Sequence, residues 1–580
     1  MSDQDAFTNP QEVFQNLNKD TAEFLKGFSS QQSQEMLTGF MRSWNTFTTS
    51  ALQNPQTWVE IMTNYQQTQM ELLMQMVSSK PGEQLKQVVT PESGDRRFAN
   101  DEWQDNPIFD YIKQSYLLAS NMLTDMADTA QLQEAEKKKL NFYTKYFIDA
   151  MSPANFAVTN PEVMKLAIET KGQSLVDGLQ NLLKDIEKGR ITQTDETAFE
   201  VGKNLAVTPG SVVYENDLMQ LIQYTPTTET VSDQPLLIVP PYINKFYILD
   251  LRPENSFIKY AVDQGNTVFV ISWINPESSE AEWDDYIKSG VIKSIEVVKE
   301  ITCAEKINTT AWCIGGTLLA SALAVMHGQQ QADSVASATY FTSMLDFSEP
   351  GDLGVFIDET QQSQREMALK STGIMSGKDM AIAFSMLRSN DLIWSYVVNN
   401  YLKGKSPTPF DILYWNSDPT NLPANMYSYY IRNMYMENNL IKPNALTMCD
   451  TPIDISSIKT PSYFLSTIDD HIAPWKTTFT GAKAMTGPVE FVLGASGHIA
   501  GVINPPAKKK RNYWVNGDFT QDSEKWLETA ESQPGSWWDH WSEWLKQQGG
   551  TEISAITSLG NDDYPTIEEA PGRYVKKRIN

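Results

Sequence analysis

From Thr208 onward the chain is written in short apolar runs, each followed by a turn and then a helical pattern: Leu218–Tyr224, Pro235–Val239, Thr267–Ile274, Ile307–Trp312, Ser334–Thr342, Pro461–Thr467 and Val489–Leu493. Runs of this length bounded by turn residues are buried strands, and strands alternating with helices pair as a mostly parallel sheet with helices on both faces. Between about Leu345 and Pro461 the alternation stops, and Phe, Tyr, Trp and Met dominate stretches such as FSMLRSNDLIWSYVVNNYLKG and FDILYWNSD. A connection of this size inside an α/β sheet reads as a cap over a site. The expected organisation is an α/β domain over residues 206–580 with a cap insertion at about 345–460.

Residues 1–205 follow a different rule. Phe14, Leu17, Phe24, Leu25 and Phe28, and later Leu72, Leu73, Met74 and Met76, recur at roughly three-and-four spacing among Gln-rich polar sequence, which predicts helices. The turn-rich SGDRRFANDEWQDN separates them from a second helical stretch, about Ile108 to Lys188. The plainer reading makes these stripes the core of an all-helical N-terminal domain. The other makes them a surface for partners or for a hydrophobic particle.

At 580 residues the chain exceeds one ordinary core, which agrees with this division. A net charge of -26 argues against generic binding to nucleic acid or to an anionic membrane. Three cysteines, Cys303, Cys313 and Cys449, are too few and too uneven for a disulfide framework, so a reducing cytoplasm is expected. The acidic start MSDQDAFTNPQEVF has no secretory pattern, and no apolar run is long enough to predict a membrane span.

Cys313 stands where a strand-like run meets a helical run of small and apolar residues, INTTAWCIGGTLLASALAVM, with Ala311 two positions before it and Gly315 two after. This is the nucleophile elbow of α/β hydrolases with cysteine in place of serine; its neighbours must be small so that strand and helix can approach. A lone cysteine in apolar sequence is more often core filling, but this setting reverses that reading. The N–H of Ile314 is then a candidate oxyanion donor at a helix N-terminus, where the dipole favours a thiolate.

An elbow nucleophile needs an acid and a histidine after it in the chain. His498 follows the strand-like VEFVLG in the turn GASGH, and Asp469 and Asp470 end PSYFLSTIDDH. His327 falls in a helix tail and His540 in a Trp-rich segment read as surface. His471 competes with His498, although a residue adjacent to the acid is poorly placed to be oriented by it.

AWCIGGTLL resembles the cysteine form of the lipase box in polyhydroxyalkanoate synthases, and PPYINKFYILDLRPENS, TVFVISWINP, DDHIAPW, GASGHIAGVINPPAK, GSWW and PGRYVK are similar to that family's other signatures, from about Ser93 to the C-terminus. One departure is Ala311, where the family's box has glycine; alanine is still small. The length and N-terminal domain look like the class I, single-subunit type. The resemblance implies an α/β-hydrolase fold and the joining of short-chain (R)-3-hydroxyacyl groups from coenzyme A thioesters into a polyester. It implies that Cys313 carries the acyl chain, that His498 takes the thiol proton, and that Asp470 either orients His498 or helps deprotonate the incoming hydroxyl. It further implies a cytoplasmic homodimer at the surface of polyester granules, beside granule proteins such as phasins. The cluster Trp537, Trp538, Trp541 and Trp544 is a candidate contact there.

The second oxyanion donor is expected in the PPYINK turn, around Ile243, unless that turn is only apolar packing. Trp415 and Trp394 are candidates for a dry acyl pocket, against a plain core role. Arg388 resembles a CoA-contacting position and, set among apolar residues, is expected to need a partner. Lys508, Lys509, Lys510 and Arg511 are a second phosphate candidate, against a solvated face. No cofactor is expected, since motifs for metal, ATP or NAD are absent and the CoA thioester is itself the substrate. Two other readings use the same residues: a cysteine-type thioesterase or esterase, and a granule-coating structural protein with an idle pocket.

Overall fold

The computed structural model describes residues 55–79 and 83–579, with isolated positions 39, 45–47 and 49 before them. The stripe Phe14, Leu17, Phe24, Leu25 and Phe28 falls outside the described residues. The chain forms two compact units. One comprises the described residues up to Asp195 together with Ile382–Thr408; the other comprises Glu196–Ala381 and Pro409–Asn580. No helix among the described residues is long and apolar enough to cross a membrane.

The first unit is helical. Its helices include α1 (Pro55–Ser78), α2 (Pro107–Asp128) and α3 (Glu134–Ala150). Asn106 caps α2 by accepting from the N–H of Ile108, with Pro107 in the first turn where no donor is needed. Gln69 of α1 donates to Ser115 of α2 at 2.8 Å, and a small core gathers Met126, Ala127 and Leu140 with Trp58 and Ile61 packed against it. Residues 382–408, expected in the cap, are held here instead, by buried polar groups. Asp149 accepts from Ser389 at 2.9 Å and Asn390 at 2.7 Å, and Asp185 accepts from Tyr401 at 2.7 Å.

The Met and Leu stripe of α1 is not this unit's core. Leu72 is fully buried, whereas Val59, Met62, Met70, Leu73, Met74 and Val77 are exposed. The sequence pattern gave an apolar face but not what covers it.

The second unit is built on an eleven-stranded sheet. In chain order its strands are β1 (Gly210–Glu215), β2 (Met219–Tyr224), β3 (Leu236–Val239), β4 (Val268–Trp273), β5 (Ile307–Trp312), β6 (Val335–Phe341), β7 (Ser462–Thr467), β8 (Val489–Gly494), β9 (Asn512–Val515), β10 (Glu531–Pro534) and β11 (Glu568–Glu569). Across the sheet they lie in the order β10-β9-β8-β7-β6-β5-β3-β4-β2-β1-β11. From β4 to β8 all neighbours are parallel, and the outer strands run antiparallel. Every residue of β2, β3, β4 and β5 is buried, as strands covered on both faces must be. Parallel strands bring their C-terminal ends to one edge, where the loops after β3, β5, β7 and β8 meet.

The Trp-rich segment, expected at the surface, is largely buried. It forms a helix, Trp537–Gln547, in which Trp537, Trp538 and Trp541 are at most 1 % exposed and pack on Phe257. Their indoles donate to Gly501 O, Val502 O and Thr339 Oγ1. Trp544 packs at the margin on Tyr463. These residues are core and leave no aromatic patch for a granule.

Candidate active site

Cys313 terminates β5 with φ 52 and ψ −126, backbone that a residue with a Cβ rarely adopts. Its N–H continues the sheet by donating to Phe341 O at 2.8 Å, and its carbonyl accepts from Gly316 N at 2.9 Å, so the chain turns from strand to helix within one residue. The following helix, α4 (Ile314–Gly328), needs its glycines. A Cβ on Gly315 would lie 2.5 Å from Val239 O, and one on Gly316 would lie 2.1 Å from Ser343 Oγ. Ala311 is fully buried in β5 between Val239 and Tyr340 of the adjacent strands. It lies before the sharp turn and outside the positive-φ residues, so the methyl group is accommodated there.

The turn after β7 carries both aspartates, of which Asp470 is buried and Asp469 exposed. Asp470 Oδ1 accepts from the N–H groups of Ile472 and Ala473, both at 2.9 Å, and Oδ2 accepts from Thr467 Oγ1 at 3.4 Å. The same Oδ2 meets His498 Nδ1 at 2.7 Å. His498, in the turn after β8, is 8 % exposed and is electrostatically coupled to Cys313. With Nδ1 committed to the acid, Nε2 is left for the sulfur. Burial works to lower the imidazole pKa, but Asp470, a charge on the Cys313 sulfur and the hydrogen bond to Asp470 raise it well above the ordinary value. The arrangement sets an imidazole oriented by a buried carboxylate beside a thiol, the order that nucleophilic catalysis uses. The remaining histidines lie elsewhere: His540 Nδ1 sits 3.1 Å from Tyr463 OH, His327 is in the tail of α4, and the His471 carbonyl accepts from Asp352 N.

Around the sulfur stand three tyrosines that the sequence reading did not single out. Tyr242, from the loop after β3, and Tyr430 and Tyr435, from the 409–460 segment, all interact electrostatically with Cys313. Burial pushes all three hydroxyls up, so they stand as neutral donors. Tyr430 and Tyr435 meet edge to face with ring centroids 5.5 Å apart, and Trp283 stacks on Tyr430 with ring centroids 5.4 Å apart. Tyr430 caps a π-helical turn, Ile431–Met436, that carries Tyr435; residues five apart share a face there, and such turns concentrate at functional sites. The repeated Tyr in MYSYYIRNMYM is the only sequence signal.

The other expected residues fall in several places. Ile314 opens α4 and is buried, and its N–H has no carbonyl one turn earlier to bond. Ile243 is half-buried in the loop after β3, with its carbonyl accepting from Thr420 N at 2.9 Å. Trp415 is 5 % exposed in the main core and donates its indole N–H to Lys245 O at 2.7 Å, so its visible work is to hold that loop. Arg388 is exposed and belongs to the helical unit, not buried among apolar residues as expected; Trp394 belongs there too. Lys508, Lys509, Lys510 and Arg511 are exposed, the solvated face weighed above.

The chain matches two family models, "Poly-beta-hydroxybutyrate polymerase (PhaC) N-terminus" over residues 94–261 and "alpha/beta hydrolase fold" over residues 235–505. It is 46 % identical to the poly(3-hydroxyalkanoate) polymerase subunit PhaC of Cupriavidus necator, over 83 % of this chain and 83 % of that one. The Rhizobium meliloti protein of the same name is 42 % identical over 91 % of this chain and 87 % of its own, and that of Rhizobium etli 45 % over 83 % and 77 %. The sheet order, the cysteine elbow and these likenesses agree: this chain belongs to the poly(3-hydroxyalkanoate) polymerase family.

Proposed function

We propose that this chain polymerises short-chain (R)-3-hydroxyacyl groups, such as 3-hydroxybutyryl, from coenzyme A thioesters, with the growing acyl chain held on Cys313. The observation that carries the residue assignment is the buried His498–Asp470 pair, 2.7 Å apart and electrostatically coupled to Cys313 at the strained elbow. The imidazole takes the thiol proton, the sulfur attacks the thioester carbonyl, and CoA leaves as a thiol carrying the proton that His498 returns. Exchange of one thioester for another keeps the acyl group activated, so a 3-hydroxyl can attack it next. A serine ester would discard much of that activation. The 2.7 Å contact to Nδ1 favours the orienting role for Asp470. The N–H of Ile314 and an N–H of the loop after β3 stabilise the oxyanion, and the neutral tyrosines keep the sulfur away from bulk water.

Granule association rests on the exposed side chains Val59, Met70, Met74 and Val77 of α1, not on the Trp-rich helix. A homodimer and a phasin-coated granule surface in the cytoplasm complete the proposal. Supplied with (R)-3-hydroxybutyryl-CoA, the protein should release CoA and deposit polymer, and Cys313→Ala should do neither. Release of CoA with only free hydroxyacid would turn the assignment to a thioesterase, and undiminished polymer from the alanine variant would remove the thiol from the chemistry.

A further inference from the structure

The loop after β3, residues 240–245, touches the elbow at one end: Val239 O and Pro240 O lie against Gly315, and Tyr242 is electrostatically coupled to Cys313. Along its length the loop is tied down repeatedly. Trp273 Nε1 donates to Pro240 O at 3.0 Å, Thr420 N to Ile243 O at 2.9 Å, and Trp415 Nε1 to Lys245 O at 2.7 Å. Asn244 forms a bridge with Pro419.

The Lys245 side chain is the unusual part. It is 3 % exposed, pairs with an Asp418 carboxylate that is 2 % exposed at 3.0 Å, and donates to the carbonyl of Lys577, near the C-terminus, at 2.8 Å. Asn275 Nδ2 donates to that same carbonyl at 3.2 Å, and Arg578 reaches Asp418 at 3.8 Å while lying 4.6 Å over the Tyr414 ring. Tyr247 OH donates to the other side of Asp418 at 3.1 Å. A lysine ammonium is rarely buried this deeply, and here three chain segments far apart in sequence converge on it. It lies two residues from Ile243 and is part of no catalytic contact.

We propose that Lys245 is a positioning residue for acyl transfer: bound to Asp418 and the Lys577 carbonyl, it fixes the loop 240–245 at the distance from Cys313 that oxyanion stabilisation requires. The inference rests on the reading above that this loop supplies the second oxyanion donor. Backbone donors stabilise an oxyanion only when held in place before charge develops, and an error of about 1 Å in such a group costs on the order of 100-fold in rate. An anchor of this kind acts chiefly on the tetrahedral step. Alkylation of the same sulfur by iodoacetamide is a displacement at saturated carbon and forms no oxyanion.

The test compares two reactions of Cys313 in the full chain: acylation by (R)-3-hydroxybutyryl-CoA in a single turnover, and alkylation by iodoacetamide. In Lys245→Met, acylation should fall about 10- to 100-fold with little change in KM. Alkylation should stay within about 2-fold, as expected when the thiol and His498 are untouched. Lys245→Arg should recover part of the loss. Should Lys245→Met fail to fold, Trp415→Phe removes the hydrogen bond to Lys245 O from the other side and should give the same split at smaller size. Equal loss of both reactions, or acylation at the parent rate, would overturn the inference. If the parent protein itself showed no acylation, or Cys313→Ala still released CoA, the underlying assignment would be at fault instead.

Discussion

Two helices rich in large apolar side chains meet opposite fates in this molecule. Pro55–Ser78 carries Val, Ile, Leu and Met along its length and buries Leu72 alone among its described side chains. Trp537–Gln547 carries four tryptophans and buries three of them against the sheet, each with its indole N–H satisfied. Composition and spacing made the first look like a core and the second like a surface. The difference lies in what each helix has to cover. A parallel sheet offers a continuous apolar face that can absorb tryptophans, whereas the helical unit is held by small clusters and by polar anchors such as Asp149.

That contrast can be broken by measurement, and the largest effect should come from the buried helix. Trp541→Ala should cost about 3–5 kcal/mol, because it opens a large cavity and strips Thr339 of a partner. Met74→Ala on the exposed helix should change stability by less than about 0.5 kcal/mol. Chemical denaturation of the two variants checks this, and comparable losses would mean that the first helix is covered after all.

A smaller effect belongs to Asp250, whose carboxyl is buried between Thr208 and Ser256 and is pushed up to about 6 by desolvation. Its folded pKa lies above the unfolded value, so the folded state binds more protons between about pH 4 and 6. Stability therefore falls as pH rises through that window, by about 2–3 kcal/mol from this group. Asp250→Asn keeps an acceptor for both hydroxyls and should flatten that part of the pH–stability curve. An unchanged slope would assign it to other groups.

The smallest effect is expected at the elbow. Ala311→Gly restores the family's glycine but adds backbone entropy to the unfolded chain, so it should lower stability by about 0.5–1 kcal/mol and leave CoA release within about 2-fold. A large gain in turnover would mean that the Ala311 methyl strains the elbow.

The sheet and the grouping of Cys313, Asp470 and His498 were legible because their constraints are local. Strands β2 to β8 are short apolar runs between turns, and Cys313, Asp470 and His498 each end a strand in a fixed order. Strands β9, β10 and β11 were not legible. Their sequences NYWV, ESQP and EE are polar or half-exposed at the sheet's edges, where no apolar run is required. Neither was the burial of Lys245, since its partners Asp418 and Lys577 lie far along the chain. The grouping of residues 382–408 with the helices depends on single contacts such as Ser389 to Asp149, which leave no periodic trace. Tyr430 and Tyr435 escaped because a π-helical turn, not the ordinary helical period, brings them together.

The central claim is that Cys313 carries the acyl group. Mass analysis of the protein after a single turnover with (R)-3-hydroxybutyryl-CoA should find a hydroxybutyryl thioester on the peptide containing Cys313, removable by hydroxylamine and absent from Cys313→Ala. An acyl adduct on another residue, or polymer formation with Cys313 never acylated, would contradict the account.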